Sequence, residues 1–298
     1  MENKTTTQDT LLEILKPYQL EIEEDLRIEL SILGTPNKLR EACEYVLFSP
    51  GKRFRPALVM MVAKAVGYGA DATYAALAVE YFHTASLVAD DLPCMDNDDV
   101  RRNRPTVHKM YGEATALLVS YALISAGYQF LVKNAESLRQ LRLPFSYDSN
   151  HICTLAIENA SYNTGIFGAT GGQYLDIYPP DLSAATLKEI IDKKTTSLFE
   201  LSFVLGWLYG GGEIARLPLV KKAASHFGMA FQIADDIGDM DQDLQNKKAI
   251  NIANAAGLDA AVHMFHEELH QFDRMVKELN FDATELTAIA NFLKNSLE

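Results

Sequence analysis

Apolar residues recur at helical spacing along nearly the whole of this 298-residue chain, and runs with the alternation of a strand are scarce. The periodic blocks span 11–32, 37–48, 54–66, 72–92, 112–133, 151–175, 184–208, 216–243 and 257–279. Between them fall Gly34-Thr35-Pro36, Pro50-Gly51, Gly67 to Gly69, Pro105, Pro144, Pro179-Pro180 and Gly210 to Gly212, residues that end helices. Connections this short make consecutive helices antiparallel neighbours. Asp181 and Ser183 supply caps for a helix starting at 184, and Asp282 and Thr284 do so for a last helix. Neither a repeat, a low-complexity tract nor a flexible linker divides the chain, so the expectation is one all-α domain over residues 1–298.

A hydrophobic content of 48% is enough for a single large core. With 27 basic against 40 acidic residues the formal charge is -13, which argues against nucleic acid as the main partner; an anionic ligand would need a local exception. Cys43, Cys94 and Cys153 are far apart, odd in number and free of C-x-x-C pairing, so neither a disulfide framework nor a zinc site is expected. The polar start, Met1 to Thr10, lacks the basic and apolar regions of a secretory signal, which points to the cytoplasm. The apolar stretches Ala114 to Tyr128 and Leu198 to Tyr209 fall short of the roughly 20 residues of a membrane span and read as buried helices.

Two acidic motifs carry the chemistry. An apolar helix ends in Asp90-Asp91, with Pro93 discouraging its continuation, and Asp96, Asp98 and Asp99 follow. A solvated, salt-bridged loop would explain that cluster by itself. The second motif changes the balance: Gln232, Asp235, Asp236 and Asp239 stand at i, i+3, i+4 and i+7, a single helical stripe flanked by Phe231, Ile233, Ile237 and Met240. Carboxylates crowded on such a stripe repel one another and must protonate or bind cations, so metal ions held between two helices are expected. An all-carboxylate set favours magnesium, with manganese as substitute, and magnesium leaves coordination positions for phosphate oxygens.

The local exception to the negative charge is Lys52-Arg53-Phe54-Arg55, which suits a second diphosphate, although alone it also fits a basic surface turn. His83 lies seven residues before Asp90, within about 20° of it around the helix, and is expected to donate to a diphosphate. Gln173 and Asp176, after Gly171-Gly172, fit either packing or catalysis, and Lys193-Lys194-Thr195-Thr196 opens an apolar run.

Together these segments resemble the trans-isoprenyl diphosphate synthases, the farnesyl and geranylgeranyl type, over about Tyr45 to Asp239. Asp90-Asp91 through Arg101-Arg102 is similar to the first aspartate-rich motif of that family, in its form with four residues between the acids, and Asp235-Asp236-Ile237-Gly238-Asp239 to the second. The resemblance implies a helical bundle around a central active-site cavity, a homodimer and three magnesium ions with substrate bound. It implies that Asp90, Asp91, Asp96, Asp235, Asp236, Asp239 and Lys194 are catalytic, the metal being held by Asp90, Asp91, Asp96, Asp235 and Asp239. Lys52, Arg55, His83 and Arg102 match the isopentenyl diphosphate site; Arg101, Lys194, Thr195 and Gln232 match residues on the allylic diphosphate. The implied reaction is ionisation of an allylic diphosphate (dimethylallyl, geranyl or farnesyl) and attack on the cation by isopentenyl diphosphate, with the released diphosphate taking the final proton.

Two segments depart from the family pattern. Asp241 to Asn251 is short and lacks the usual Gly-Lys and Lys-X-Thr-Tyr-Pro features, leaving Lys247 or Lys248 as substitutes, and Val119-Ser120-Tyr121 replaces a small residue followed by Gly-Asp. In fifteen-carbon enzymes of the family an aromatic commonly stands five residues before the first Asp, where this chain has Ala85 with Ser86 beside it, so geranylgeranyl diphosphate is expected ahead of farnesyl diphosphate. Phe82 and Tyr121 are the expected floor of the tunnel. The alternatives are a terpene cyclase, which would not need Lys52, Arg55 and His83, and a non-catalytic partner subunit, which would predict damaged aspartate motifs.

Overall fold

In the computed structural model, residues 7–245 and 251–297 are described; Met1 to Thr6, Lys247 and Lys248 lie outside the described residues. The first half of the chain forms α1 (Thr7–Ile28), α2 (Lys38–Leu47), α3 (Phe54–Val66), α4 (Thr73–Asp90), α5 (Val107–Tyr111) and α6 (Glu113–Gln140). The second half forms α7 (Ser149–Thr164), α8 (Ala169–Ile177), α9 (Ala184–Ile191), α10 (Ser197–Gly210), α11 (Leu217–Gly238), α12 (Met240–Gln245), α13 (Ile252–Ala256), α14 (Leu258–Leu279) and α15 (Thr284–Asn295). Ser183 caps α9 by accepting the Thr186 N–H, and Asp282 accepts the Thr284 N–H ahead of α15.

Helix α10 is apolar all round and so has no face for water. Every residue from Ser197 to Gly210 except Glu200 is buried, and α3, α4, α7 and α11 pack around it. Helix α4 is similarly apolar and lies between α3 and α6, so its C-terminal aspartates are delivered from the core.

Several local features differ from the periodicity. The 151–175 block is two helices, parted where Gly168 leaves the helical region (ψ -133°) and where a Cβ would fall 2.0 Å from the Asn163 carbonyl. The 184–208 block contains a π turn, Asp192–Thr196, between α9 and α10, and the 216–243 block breaks at Asp239. Val100–Arg101 pairs antiparallel with Arg104–Pro105 as a two-residue hairpin whose corner residues, Arg102 and Asn103, both have positive φ (53° and 61°). Such turns suit the right-handed twist of paired strands.

The last concerns α6. It is 28 residues long and, among the described residues, is the one helix long and apolar enough to cross a membrane, contrary to the shorter span read from Ala114 to Tyr128. The polar residues interrupting it are uncharged, so the apolar run continues to Val132. Its inner face packs on α4 and α7, while Leu117, Leu118, Tyr121 and Val132 point outward.

Candidate active site

Three cavities gather the acidic and basic motifs, and α4 lends residues to the first and the third. The first, about 590 Å³, is lined by Lys52, Arg55, His83 and Arg102, together with Leu12, Leu15, Gln19 and Phe231. Its cations are set by the backbone before α3. Arg53 takes a left-handed conformation (φ 50°) and turns inward, where Nη1 meets Glu80 at 2.5 Å and Nη2 donates to the carbonyls of Leu47 (2.7 Å) and Ser49 (3.1 Å). With Arg53 buried in this way, its neighbours Lys52 and Arg55 are left to the cavity. Gly51 makes room for the Arg102 guanidinium, since a Cβ there would lie 2.5 Å from Nη1. Its carbonyl accepts a 2.8 Å hydrogen bond from Gln19 of α1.

Burial pushes the Arg55 pKa down to about 10, and burial followed by the field of Arg55 and Arg102 holds the His83 imidazole well below its ordinary range. His83 is therefore neutral at physiological pH. His83 Nδ1 and Arg55 Nε are buried without a hydrogen-bond partner, so the pocket presents polar atoms that a bound anion could satisfy.

The second cavity, about 630 Å³, is lined by Asp96, Asp98, Asp176, Lys194, Thr195, Gln232, Asp235, Asp236 and Asp239. The stripe on α11 faces the π turn: Thr195 Oγ1 donates to Gln232 Oε1 at 3.0 Å, and Gln232 Nε2 donates to Asp236 Oδ1 at 2.7 Å. Single-turn π segments are common at functional sites; this one carries Lys194 and Thr195 together. From α8, Asp176 pairs with Lys194, and Gln173 Nε2 donates to Asp96 at 3.2 Å. Gly172 lets α8 sit this close, as a Cβ there would meet the Lys194 backbone N at 2.3 Å. Burial is the largest influence on Lys194 and lowers its pKa, but the charge and hydrogen bond of Asp176 together with the charges of Asp90 and Asp96 outweigh it, and the net shift is upward.

The third cavity, about 360 Å³, adjoins the second through Met95 and Ile177 and is mostly apolar: Phe82, Ser86, Ala89, Ile124, Thr164 and Leu198 line it, with Asp90 at its rim. Burial, partly offset by Lys194, pushes the Asp90 pKa up to about 7. A carboxyl this reluctant to ionise is one that a cation would relieve.

A family model described as polyprenyl synthetase matches residues 36–255. The chain belongs to the polyprenyl synthetase family. It is 35% identical over 238 residues to a protein of Capsicum annuum named geranylgeranyl pyrophosphate synthase, chloroplastic; the match covers 78% of this chain and 60% of that protein. It is also 35% identical over 252 residues to the heterodimeric geranylgeranyl pyrophosphate synthase large subunit 2 of Arabidopsis thaliana, covering 82% of this chain and 62% of that one. The chain thus spans about three fifths of the length of these relatives. Among solved structures, an apo FPP/GFPP synthase from Zymomonas mobilis is 27% identical with a TM-score of 0.78, covering 94% of this chain and 99% of the other. A geranyltransferase from Legionella pneumophila is 27% identical with a TM-score of 0.79, covering 97% and 98%. The all-helical fold expected from the resemblance is the fold these polyprenyl synthetase structures share.

In this polyprenyl synthetase chain the members of each aspartate pair are placed differently. Asp90 lines the apolar cavity and Asp235 the carboxylate cavity, whereas Asp91 lines neither: it is buried and held by Arg101, which approaches it at 2.7 Å (Nε) and 2.6 Å (Nη2) and reaches Asp98 at 3.4 Å. Asp91 and Arg101 line a small recess with Tyr45, Arg102 and Thr106 rather than the carboxylate cavity. Asp236 does line it but also accepts the Ile252 N–H at 2.8 Å, so one carboxylate oxygen anchors α13. Among the described residues no three His, Cys, Asp or Glu side chains converge as a ready-made metal cage. The acids that line the cavities, Asp90, Asp96, Asp235 and Asp239, still fit magnesium, which needs few protein carboxylates when phosphate and water complete its shell.

His83 and Asp90 share a helix face yet line different cavities. Of the expected chain-length residues, Phe82 and Ser86 line the apolar cavity. Ala85 does not: it is sealed against α6, its carbonyl accepting from Ser120 at 3.0 Å. Tyr121, 57% exposed, stands on the outer face of α6 and does not line the apolar cavity. No motif signals Gln19, Glu80 or Ile252, single residues whose roles arise only from long-range packing.

Proposed function

We propose that this chain joins isopentenyl diphosphate to an allylic diphosphate and releases a short all-trans prenyl diphosphate. The supporting observation is the grouping of a carboxylate cavity, an apolar chamber that shares Met95 and Ile177 with it and has Asp90 in its lining, and a separate cationic cavity, α4 lending residues to the last two. They suit, in turn, the head of the allylic substrate, its tail and the second diphosphate. A terpene cyclase would use the first two and leave the third without a purpose.

Asp90, Asp96, Asp235 and Asp239 would hold magnesium, which when bound neutralises charge on the departing diphosphate. Lys194, fixed by Asp176, adds a positive charge already in position, and Thr195 and Gln232 orient the same group. Lys52, Arg55 and Arg102 hold isopentenyl diphosphate, and neutral His83 donates one hydrogen bond to it. The allylic C–O bond breaks, the isopentenyl double bond supplies the electrons of the new C–C bond, and the adjacent proton leaves with the diphosphate. Apolar walls of Phe82, Ile124 and Leu198 keep water from the carbocation.

Geranylgeranyl diphosphate is the proposed product, in keeping with the names of the plant relatives. The active form is read as a homodimer, which would cover Leu117, Leu118, Tyr121 and Val132 on α6. The three free cysteines suit a reducing compartment such as the cytoplasm. Incubating purified protein with magnesium, isopentenyl diphosphate and each of dimethylallyl, geranyl and farnesyl diphosphate, then sizing the products, tests the proposal. A twenty-carbon product supports it in full, a fifteen-carbon product corrects the length, and no product from any starter overturns it.

A further inference from the structure

Phe82 is a wall of the apolar chamber, and α6 determines where its ring rests. The ring packs onto Gly127: a Cβ at that position would lie 2.7, 2.9 and 3.0 Å from Cε1, Cζ and Cδ1 of Phe82, distances that Cβ atoms do not tolerate. The ring thus fills a recess available only because residue 127 has no side chain. Tyr128, the next residue, meets Phe82 edge-on at 5.1 Å (68° between planes). The Tyr128 hydroxyl in turn lies 3.4 Å from Oγ1 of Thr164, another chamber residue.

The two helices cannot easily move apart to admit a larger residue. Less than two turns from Gly127, Ser120 donates to the Ala85 carbonyl at 3.0 Å, and Ala85, Val119 and Leu123 are fully buried in the same contact. Added volume at position 127 would therefore be relieved by displacing the Phe82 ring toward the empty side, the chamber.

We propose that Gly127 is a specificity-determining position for product length. By leaving the recess open it draws the Phe82 ring back and sets the depth of the chamber, without touching substrate itself. This inference rests on reading the apolar cavity as the chamber of the growing chain.

The test compares the unaltered protein with Gly127→Ala, Phe82→Ala and the double variant. Two readouts are used: product sizes with isopentenyl and geranyl diphosphates, and the ratio of calorimetric affinities for geranylgeranyl and farnesyl diphosphate. Gly127→Ala lowers both the ratio of twenty- to fifteen-carbon product and the affinity ratio by about tenfold, the scale on which a hydrophobic pocket discriminates a small change in length. Phe82→Ala shifts both toward longer chains, and the double variant behaves as Phe82→Ala because no ring remains to be displaced. The affinity ratio reads chamber depth even if no condensation occurs, so failure of the proposed reaction and failure of this inference are distinguishable. Unchanged ratios in folded Gly127→Ala, or a double variant in which the two single effects simply add, would overturn it. If Gly127→Ala alone does not fold, a double variant that folds with the ratio of Phe82→Ala supports the contact, and one that also fails to fold refutes it.

Discussion

Arg101 donates to Oδ1 of Asp91 from Nε at 2.7 Å and brings Nη2 within 2.6 Å of the same oxygen, which makes the second aspartate of the first motif an internal counter-ion while Asp90 borders the chamber. The second motif divides its work in a comparable way, with Asp236 accepting the Ile252 N–H while also lining the carboxylate cavity. Paired aspartates that look equivalent in sequence therefore fail differently when removed. Asp90→Ala and Asp235→Ala should lower kcat by at least about a hundredfold, the scale of losing an electrostatic contact to a transition state. Thermal melting by circular dichroism should show little loss of stability in Asp90→Ala.

Asp91→Ala and Asp236→Ala should lower the melting temperature as well as activity. Each leaves a partner unsatisfied, the Arg101 guanidinium or the Ile252 N–H, at a cost of about 1–3 kcal/mol. A melting temperature equal to that of Asp90→Ala would contradict the division.

The Asp90 pKa, raised from 3.8 to about 7, gives a pH dependence with a definite sign. Between those values the folded protein holds a proton that the unfolded chain releases, so this group's contribution to stability falls as pH rises through the window. Magnesium competes with that proton. The rise in melting temperature on adding magnesium should be larger at pH 8 than at pH 6, measured by scanning fluorimetry; an equal rise at both would show that Asp90 is not coupled to the metal.

Gln19 holds the loop carrying Lys52 through its 2.8 Å hydrogen bond to the Gly51 carbonyl. Gln19→Ala should raise KM for isopentenyl diphosphate by roughly two- to tenfold, the worth of one net hydrogen bond, and leave KM for the allylic substrate unchanged. Parallel changes in both would assign Gln19 a general structural role instead.

Arg53 and Glu80 form an ion pair whose side chains are each only 2% exposed. Glu80→Ala strands the guanidinium in the core and should cost about 3–5 kcal/mol in urea unfolding, whereas replacing both residues with Met should cost much less. Equal losses would mean that the pair is not what stabilises this region.

What could be read in the sequence was what local chemistry determines. The spacing of Gln232, Asp235, Asp236 and Asp239 fixes a stripe on any helix, and Leu198 to Tyr209, lacking charge except at Glu200, had to be buried. The inequality of Asp90 and Asp91 was not legible, because it depends on a hairpin that returns Arg101 to the end of α4. Its corner, Arg102-Asn103, lacks the glycine that usually announces such a turn. The outward position of Tyr121 was not legible either, because α6 has an apolar outer face as well as an apolar inner one.

The separation of the cationic cavity from the carboxylate cavity is most directly tested by calorimetry with magnesium, using isopentenyl diphosphate and a non-ionisable thio analogue of geranyl diphosphate. Lys52→Ala with Arg55→Ala should weaken isopentenyl diphosphate binding and spare the analogue. Asp90→Ala with Asp235→Ala should do the reverse. If both ligands lose affinity together in both double variants, the two cavities are not separate substrate sites.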